Sequence, residues 1–257
     1  LLLATGTASD SIRFIPGSAG SWQGVEIVSD GEIPSELTYV RLSGAMKTSS
    51  PGGVRVLESK LDMSNCVVQG NRCGVLAINS ELHMIDCRVV DNILDLTGSS
   101  NGGGVNLNGG TALLEDCSII GNWAKEHGGG MKIRSASEPG TVRLVRCQIT
   151  DNTSASYGGG VCIWEDAEVT FENCTITGNT GHDGNTPGGA IFTSSPNLVI
   201  SNSIVWGNTP NEIDVYNDEP PSITYSDVKD GFLGTGNINA DPMFRDSLNG
   251  DYRLAAG

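Results

Sequence analysis

One spacing repeated six times, short runs of alternating apolar residues, and glycine where the chain must turn predict an all-β solenoid. The fold class is a right-handed single-stranded parallel β-helix, with three parallel sheets and about eight coils. The repeat is anchored on a cysteine and the asparagine five residues later: Cys66-Val-Val-Gln-Gly-Asn71, Cys87-Arg-Val-Val-Asp-Asn92, Cys117-Ser-Ile-Ile-Gly-Asn122, Cys147-Gln-Ile-Thr-Asp-Asn152 and Cys174-Thr-Ile-Thr-Gly-Asn179. A sixth copy, Ser203-Ile-Val-Trp-Gly-Asn208, keeps the asparagine. The spacing inside each copy is constant, while successive copies lie 21 to 30 residues apart. Fixed units joined by elastic loops describe a solenoid.

Each coil divides into three runs. The first precedes the cysteine and alternates apolar with polar residues: Leu61/Met63, Leu82/Met84, Ala112/Leu114, Val142/Leu144, Val169/Phe171 and Leu198/Ile200. The second carries a β-branched residue two positions after the cysteine: Val68, Val89, Ile119, Ile149, Ile176 and Val205. The third follows glycine, at Gly74-Val75, Gly104-Val105, Gly130-Met131, Gly160-Val161 and Gly189-Ala190. Period-2 alternation over four to six residues means strand. Gly24-Val25-Glu26-Ile27 and Gly53-Val54-Arg55-Val56 extend the third run toward the N-terminus, and Ile213–Val215 and Ile223–Val228 add coils at the other end. Residues 1–220 are therefore read as β-helix repeats. Residues 221–257 are read as a terminal coil and an extended segment leading to a further region.

Strands of one coil cannot pair with each other, so each pairs with its equivalent about 4.8 Å above and below. Like residues then stack in columns. Cys66, Cys87, Cys117, Cys147 and Cys174 form an inward column, expected to be reduced because parallel Cβ vectors disfavour the disulfide dihedral. Asn71, Asn92, Asn122, Asn152, Asn179 and Asn208 form a column in the turns, expected to satisfy backbone groups. Burial there would make the glycosylation match at Asn152-Thr-Ser154 accidental. The loops after the asparagines, Ile93–Asn101, Trp123–His127, Thr153–Tyr157 and Thr180–Pro187, vary in length and are expected to project from one edge as recognition elements.

Composition narrows the function. The 257 residues carry a net charge of −15, which argues against nucleic-acid binding and suits a soluble, self-repelling surface. No run of 18 apolar residues occurs, so no membrane insertion is expected. The start, Leu1-Leu2-Leu3-Ala4-Thr5-Gly6, is already strand-like, and both ends of the solenoid are expected to present open edges. Such edges favour further protein or end-to-end self-association into a filament.

Several motifs resemble those of the parallel β-helix repeat superfamily. Gly188-Gly-Ala-Ile191 with Phe171-Glu-Asn-Cys174 resembles the paired repeat motifs of chlamydial polymorphic outer-membrane proteins, with cysteine in place of the final asparagine. Asn202-Ser-Ile-Val-Trp-Gly-Asn208, Tyr225-Ser-Asp-Val228, Asp241-Pro-Met-Phe244 and Gly250-Asp-Tyr-Arg-Leu254 resemble segments of large secreted β-helix proteins of environmental bacteria. The resemblance implies an extracellular or cell-surface location. It also implies a structural, adhesive or glycan-binding role, with glycans or cell-surface proteins as partners.

The alternative is a polysaccharide lyase or glycoside hydrolase working on an exposed β-helix face. Its residues would be Glu115 and Glu172 as the carboxyl pair, with His83 or Arg143 as base. Asp86 and Asp116 would stack on adjacent coils before their cysteines, with Arg146 next. Two such carboxylates call for a partner: calcium through oxygen ligands, or Arg146 in a salt bridge. No other cofactor is indicated. The tryptophans, Trp22, Trp123, Trp164 and Trp206, fall at dispersed repeat positions, which favours a binding or structural module over an enzyme.

Overall fold

Alternation alone puts every second side chain of a strand on one face, and stacking coils turns those faces into columns. In the first sheet Leu37, Met63, Met84, Leu114, Leu144, Phe171, Ile200 and Ile223 follow one another in register, all buried. In the second, Leu42, Val68, Val89, Ile119, Ile149, Ile176, Val205 and Val228 do the same. The third stacks Val54, Val75, Val105, Met131, Val161 and Ile191. All these pairings are parallel, and together they make one continuous core. The computed structural model describes residues 1–255 except 19, 21, 29–31, 48–51, 97–101, 136–139, 183–187 and 218.

The coil count differs slightly from expectation. Six turns carry the ladder asparagine, five of them with the cysteine, and the second sheet stacks nine strands because partial rungs flank them. The first and third sheets also merge. Val75–Ile85 and Val105–Glu115 are continuous 11-residue strands, each serving the third sheet of one coil and the first sheet of the next. The bend between the halves falls at Asn79 in one strand and at Gly109 and Gly110 in the other, all with positive φ. A Cβ on Gly110 would sit 2.1 Å from the Ser80 carbonyl oxygen, so only glycine fits that approach.

Two corners in each coil need the left-handed backbone region. The residue before the cysteine or its equivalent, Asn65, Asp86, Asp116, Arg146, Asn173 or Asn202, has φ between 51° and 55°. The residue before the asparagine, Gly70, Asp91, Gly121, Asp151, Gly178 or Gly207, has φ between 52° and 71°. Asn, Asp and Gly tolerate that region best, which explains their recurrence.

Both ladders form. All seven cysteines are free and buried. Cys66, Cys117, Cys147 and Cys174 donate to carbonyls of the preceding coil, at Leu37, Met84, Leu114 and Leu144. Ser203 and Ser226 continue the column with hydroxyls that accept the backbone N–H of Cys174 and of Ser203. The sequence reading missed Ser226. Each asparagine Nδ2 donates to the next asparagine Oδ1 at 2.9–3.0 Å, from Asn71 through Asn208. Each Oδ1 also accepts the backbone N–H of the asparagine below. Asn152 is fully buried in this ladder.

Two expectations change. The post-asparagine loops do not simply project. Ile93–Leu94, Trp123–Ala124 and Thr153–Ser154 form a short sheet of their own, and bridges join His127 to Tyr157 and Thr153 to Thr180. These segments fold over the outer face of the third sheet, so outward Leu76, Asn106, Lys132, Cys162 and Phe192 are buried. Repeating loops stack because repeating strands do. The parts of the predicted loops at 97–101 and 183–187 lie outside the described residues. The second change is at the last rung, which is covered rather than open. Phe232 packs on the core, Asn237 donates to the Ile223 and Phe232 carbonyls, and Ile238 bridges to Asp227. These contacts cover the first- and second-sheet strands of that rung. Among the described residues no helix is long and apolar enough to cross a membrane.

Candidate functional site

The residues considered for catalysis do share one exposed face. Glu115 and Glu172 occupy one outward column of the first sheet, with Val145 between them. His83 and Arg143 share the neighbouring column, separated by Leu113. Each is already engaged. Arg143 meets Glu172 at 2.7 Å, and Arg146 reaches Glu115 at 3.8 Å. His83 lies 3.2 Å from Asp62 and 3.5 Å from Glu81. Arg146 also grips both oxygens of Asp116 at 2.8 Å, and that guanidinium holds the Asp116 carboxyl below the usual range. Asp86 occupies the equivalent corner one coil away. Arg146 is thus the paired partner of Asp116 in this acidic column. Among the described residues no three His, Cys, Asp or Glu side chains converge to hold a metal.

A larger cavity opens elsewhere, against the outer face of the second sheet. The chain leaves the last rung, passes Asp241-Pro-Met243, and folds into an antiparallel hairpin of Phe244–Asp246 and Asp251–Leu254. A single 3₁₀ turn at Ser247–Asn249 joins the strands, closed by Gly250 in the left-handed region. Arg253 forks onto Asp251, which holds that carboxyl down at about 2, and Arg245 donates to the Leu254 carbonyl. Both arginines are thus turned to the hairpin itself.

The hairpin is tethered back to the solenoid across 101 residues. Tyr252 donates its hydroxyl to Asp151 Oδ1 at 2.8 Å. Burial, and then the Asp151 hydrogen bond, push the phenol above its ordinary pKa, so it stays a donor. Gly178 makes this contact possible. It lies over Asp151 in the corner column, and a Cβ there would fall 2.5 Å from Asp151 Oδ1 and 3.0 Å from the Tyr252 oxygen. Alternation of Gly121, Asp151 and Gly178 also keeps carboxylates off adjacent rungs.

The resulting groove encloses about 740 Å³. Trp206, Phe244 and Tyr252 supply half-exposed aromatic surface, with Phe244 and Tyr252 edge to face at 5.4 Å. Asp151, Asp241, Thr177 and Ser247 supply polar groups, and among the described residues no lysine or arginine lines it. Flat apolar faces beside hydrogen-bonding oxygens suit a polyhydroxylated ring, whose C–H faces stack while its hydroxyls donate to carboxylates.

No repeat position points to this site: Asp241–Phe244 and Gly250–Leu254 stand out in the sequence only by resemblance, and Trp206 falls at a dispersed repeat position. The available signal was aspartate at a corner where four of the six copies carry glycine. What joins Asp151 to Tyr252 is a fold-back that no repeat period encodes.

No curated protein matches the chain. A family model described as a right-handed β-helix region matches residues 103–237, more than half of the length, and spans the six-turn core from its third turn through the covered last rung. Register, parallel pairing and this match agree, and the chain belongs to the right-handed β-helix family.

Proposed function

We propose that this chain is an extracellular β-solenoid that binds neutral glycans in the groove beneath its C-terminal hairpin. The observation that carries the reading is the lining of that groove: three aromatic side chains, two aspartates and, among the described residues, no lysine or arginine. The carboxylates accept sugar hydroxyls and repel acidic sugars. A net charge of −15 keeps such rods apart at a bacterial cell surface, where the rigid stack would serve as spacer and adhesin. Enzymatic action on the first-sheet face is disfavoured by the arginines that neutralise Glu172 and Asp116.

The test is a glycan array read with the wild-type chain and Trp206→Ala, alongside activity screens on neutral and acidic polysaccharides with and without calcium. Neutral oligosaccharides should be retained by the wild type, and Trp206→Ala should lose about tenfold or more, as expected for an aromatic anchor. Retention of acidic glycans alone, indifference to Trp206, or turnover of a polysaccharide would overturn the reading.

A further inference from the structure

The outer face of the third sheet gathers positive charge under aromatic rings, although the chain as a whole is acidic. Lys132 and Arg134 alternate along the strand Met131–Arg134, in register with Cys162 and Trp164 on the next coil. His127 and Tyr157, bridged to each other in the covering loops, lie over them. The rings of His127, Tyr157, Trp164 and Phe192 pack with centroids 4.5–5.7 Å apart. A pocket of about 220 Å³ remains, lined by His127, Lys132, Arg134, Trp164 and Glu165.

Three features of this pocket point to a ligand. Lys132 is only 5% exposed yet lines the opening, and it makes contacts of its own within the fold. Arg134 directs its fork at Glu165, with Nε at 2.8 Å and an Nη at 2.6 Å, so a carboxylate already sits where an anion would be gripped. His127 Nδ1 is buried and finds no partner in hydrogen-bonding geometry among the described residues. Burial and then the Lys132 charge push the imidazole below its ordinary pKa, against the opposing pull of Glu126. A neutral ring can accept a hydroxyl hydrogen at that orphan nitrogen.

We infer that this pocket is a second binding site, specific for a single hydroxylated ring carrying one carboxylate: an acidic monosaccharide unit. The carboxylate meets Lys132 and displaces Glu165 from the Arg134 fork. A sugar hydroxyl satisfies His127, and the ring's apolar face lies on Trp164. The volume falls below the roughly 300–1,000 Å³ of drug-sized sites, which limits the ligand to one ring. This charge preference is the reverse of that in the hairpin groove, and the two sites lie on different sheets.

The experiment is a titration of the full chain with glucuronate, glucose and acetate, by calorimetry or by NMR shifts of the His127 ring. Glucuronate should bind about tenfold or more tightly than either control, because glucose lacks the charge and acetate lacks the ring. Glu165→Gln should strengthen glucuronate binding several-fold by freeing Arg134. Lys132→Met, which keeps the apolar stem, should weaken it about tenfold or more. If Lys132→Met does not fold, Glu165→Gln still decides. Equal binding of glucose and glucuronate, no binding at millimolar concentration, or no gain in Glu165→Gln would overturn the assignment.

Discussion

Removing one amide from the middle of the asparagine ladder tests the physics of the whole stack. The Asn122 side chain makes four buried hydrogen bonds. Nδ2 donates to the Val89 carbonyl and to Asn152 Oδ1, both at 2.9 Å, while Oδ1 accepts the Asn92 backbone N–H at 3.0 Å and Asn92 Nδ2 at 2.9 Å. Asn122→Ala leaves the Asn92 N–H without its acceptor and strips one hydrogen bond from Asn92 Nδ2. Asn152 Oδ1 keeps the Asn122 backbone N–H. The orphaned buried donor costs about 1–3 kcal/mol and each of the three other lost bonds about 0.5–1.5 kcal/mol, so the variant should lose about 2.5–7.5 kcal/mol. Urea unfolding followed by far-UV circular dichroism measures this, with Asn249→Ala as control. Asn249 also donates to a side chain, the Asp246 carboxylate at 2.7 Å, but it is exposed and should cost under about 0.5 kcal/mol. Equal losses in the two variants, or a loss at Asn122 below about 1 kcal/mol, would refute the claim that the ladder stabilises through buried amide pairing.

Two further predictions concern groups the stack buries. The ladder ends on Glu212, whose carboxylate accepts from Gly207 N, Asn208 N and Asn208 Nδ2 while almost fully buried. Burial raises its pKa above the ordinary 4.5, against the lowering effect of those donors. The folded state therefore binds the proton more tightly than the unfolded state, and this group's contribution falls as pH rises from about 4.5 through the raised value. Glu212→Gln should flatten that part of the melting-temperature profile, and an unchanged slope would remove Glu212 as its source. Thiol titration should find all seven cysteines slow to react in the native chain and all seven reactive in denaturant without reductant. Burial raises the Cys73 thiol to about 12, and neighbouring thiols together with burial push Cys66 and Cys174 upward too. A shortfall of two or more thiols in denaturant would mean disulfides in place of the free ladder.

Repetition is what made this chain legible. A fixed interval from Cys117 to Asn122, copied along the sequence, identifies the corners, and period-2 alternation identifies which residues face inward. Stacking then follows from geometry, because strands of one coil have no partners except those of the next. The cysteine and asparagine ladders were readable for that reason, as was the shared face of Glu115 and Glu172. Tertiary structure decided whatever breaks the period. Glu212 ends the amide ladder as a carboxylate, Phe232 and Asn237 cover the last rung, and Tyr252 reaches Asp151 from 101 residues away. The His127, Tyr157, Trp164 and Phe192 cluster draws its rings from three different places in the repeat, so no column of the alignment contains it. A one-dimensional pattern records contacts between equivalent residues. The surfaces proposed here for binding are built from residues that are not equivalent, and only the folded chain brings those together.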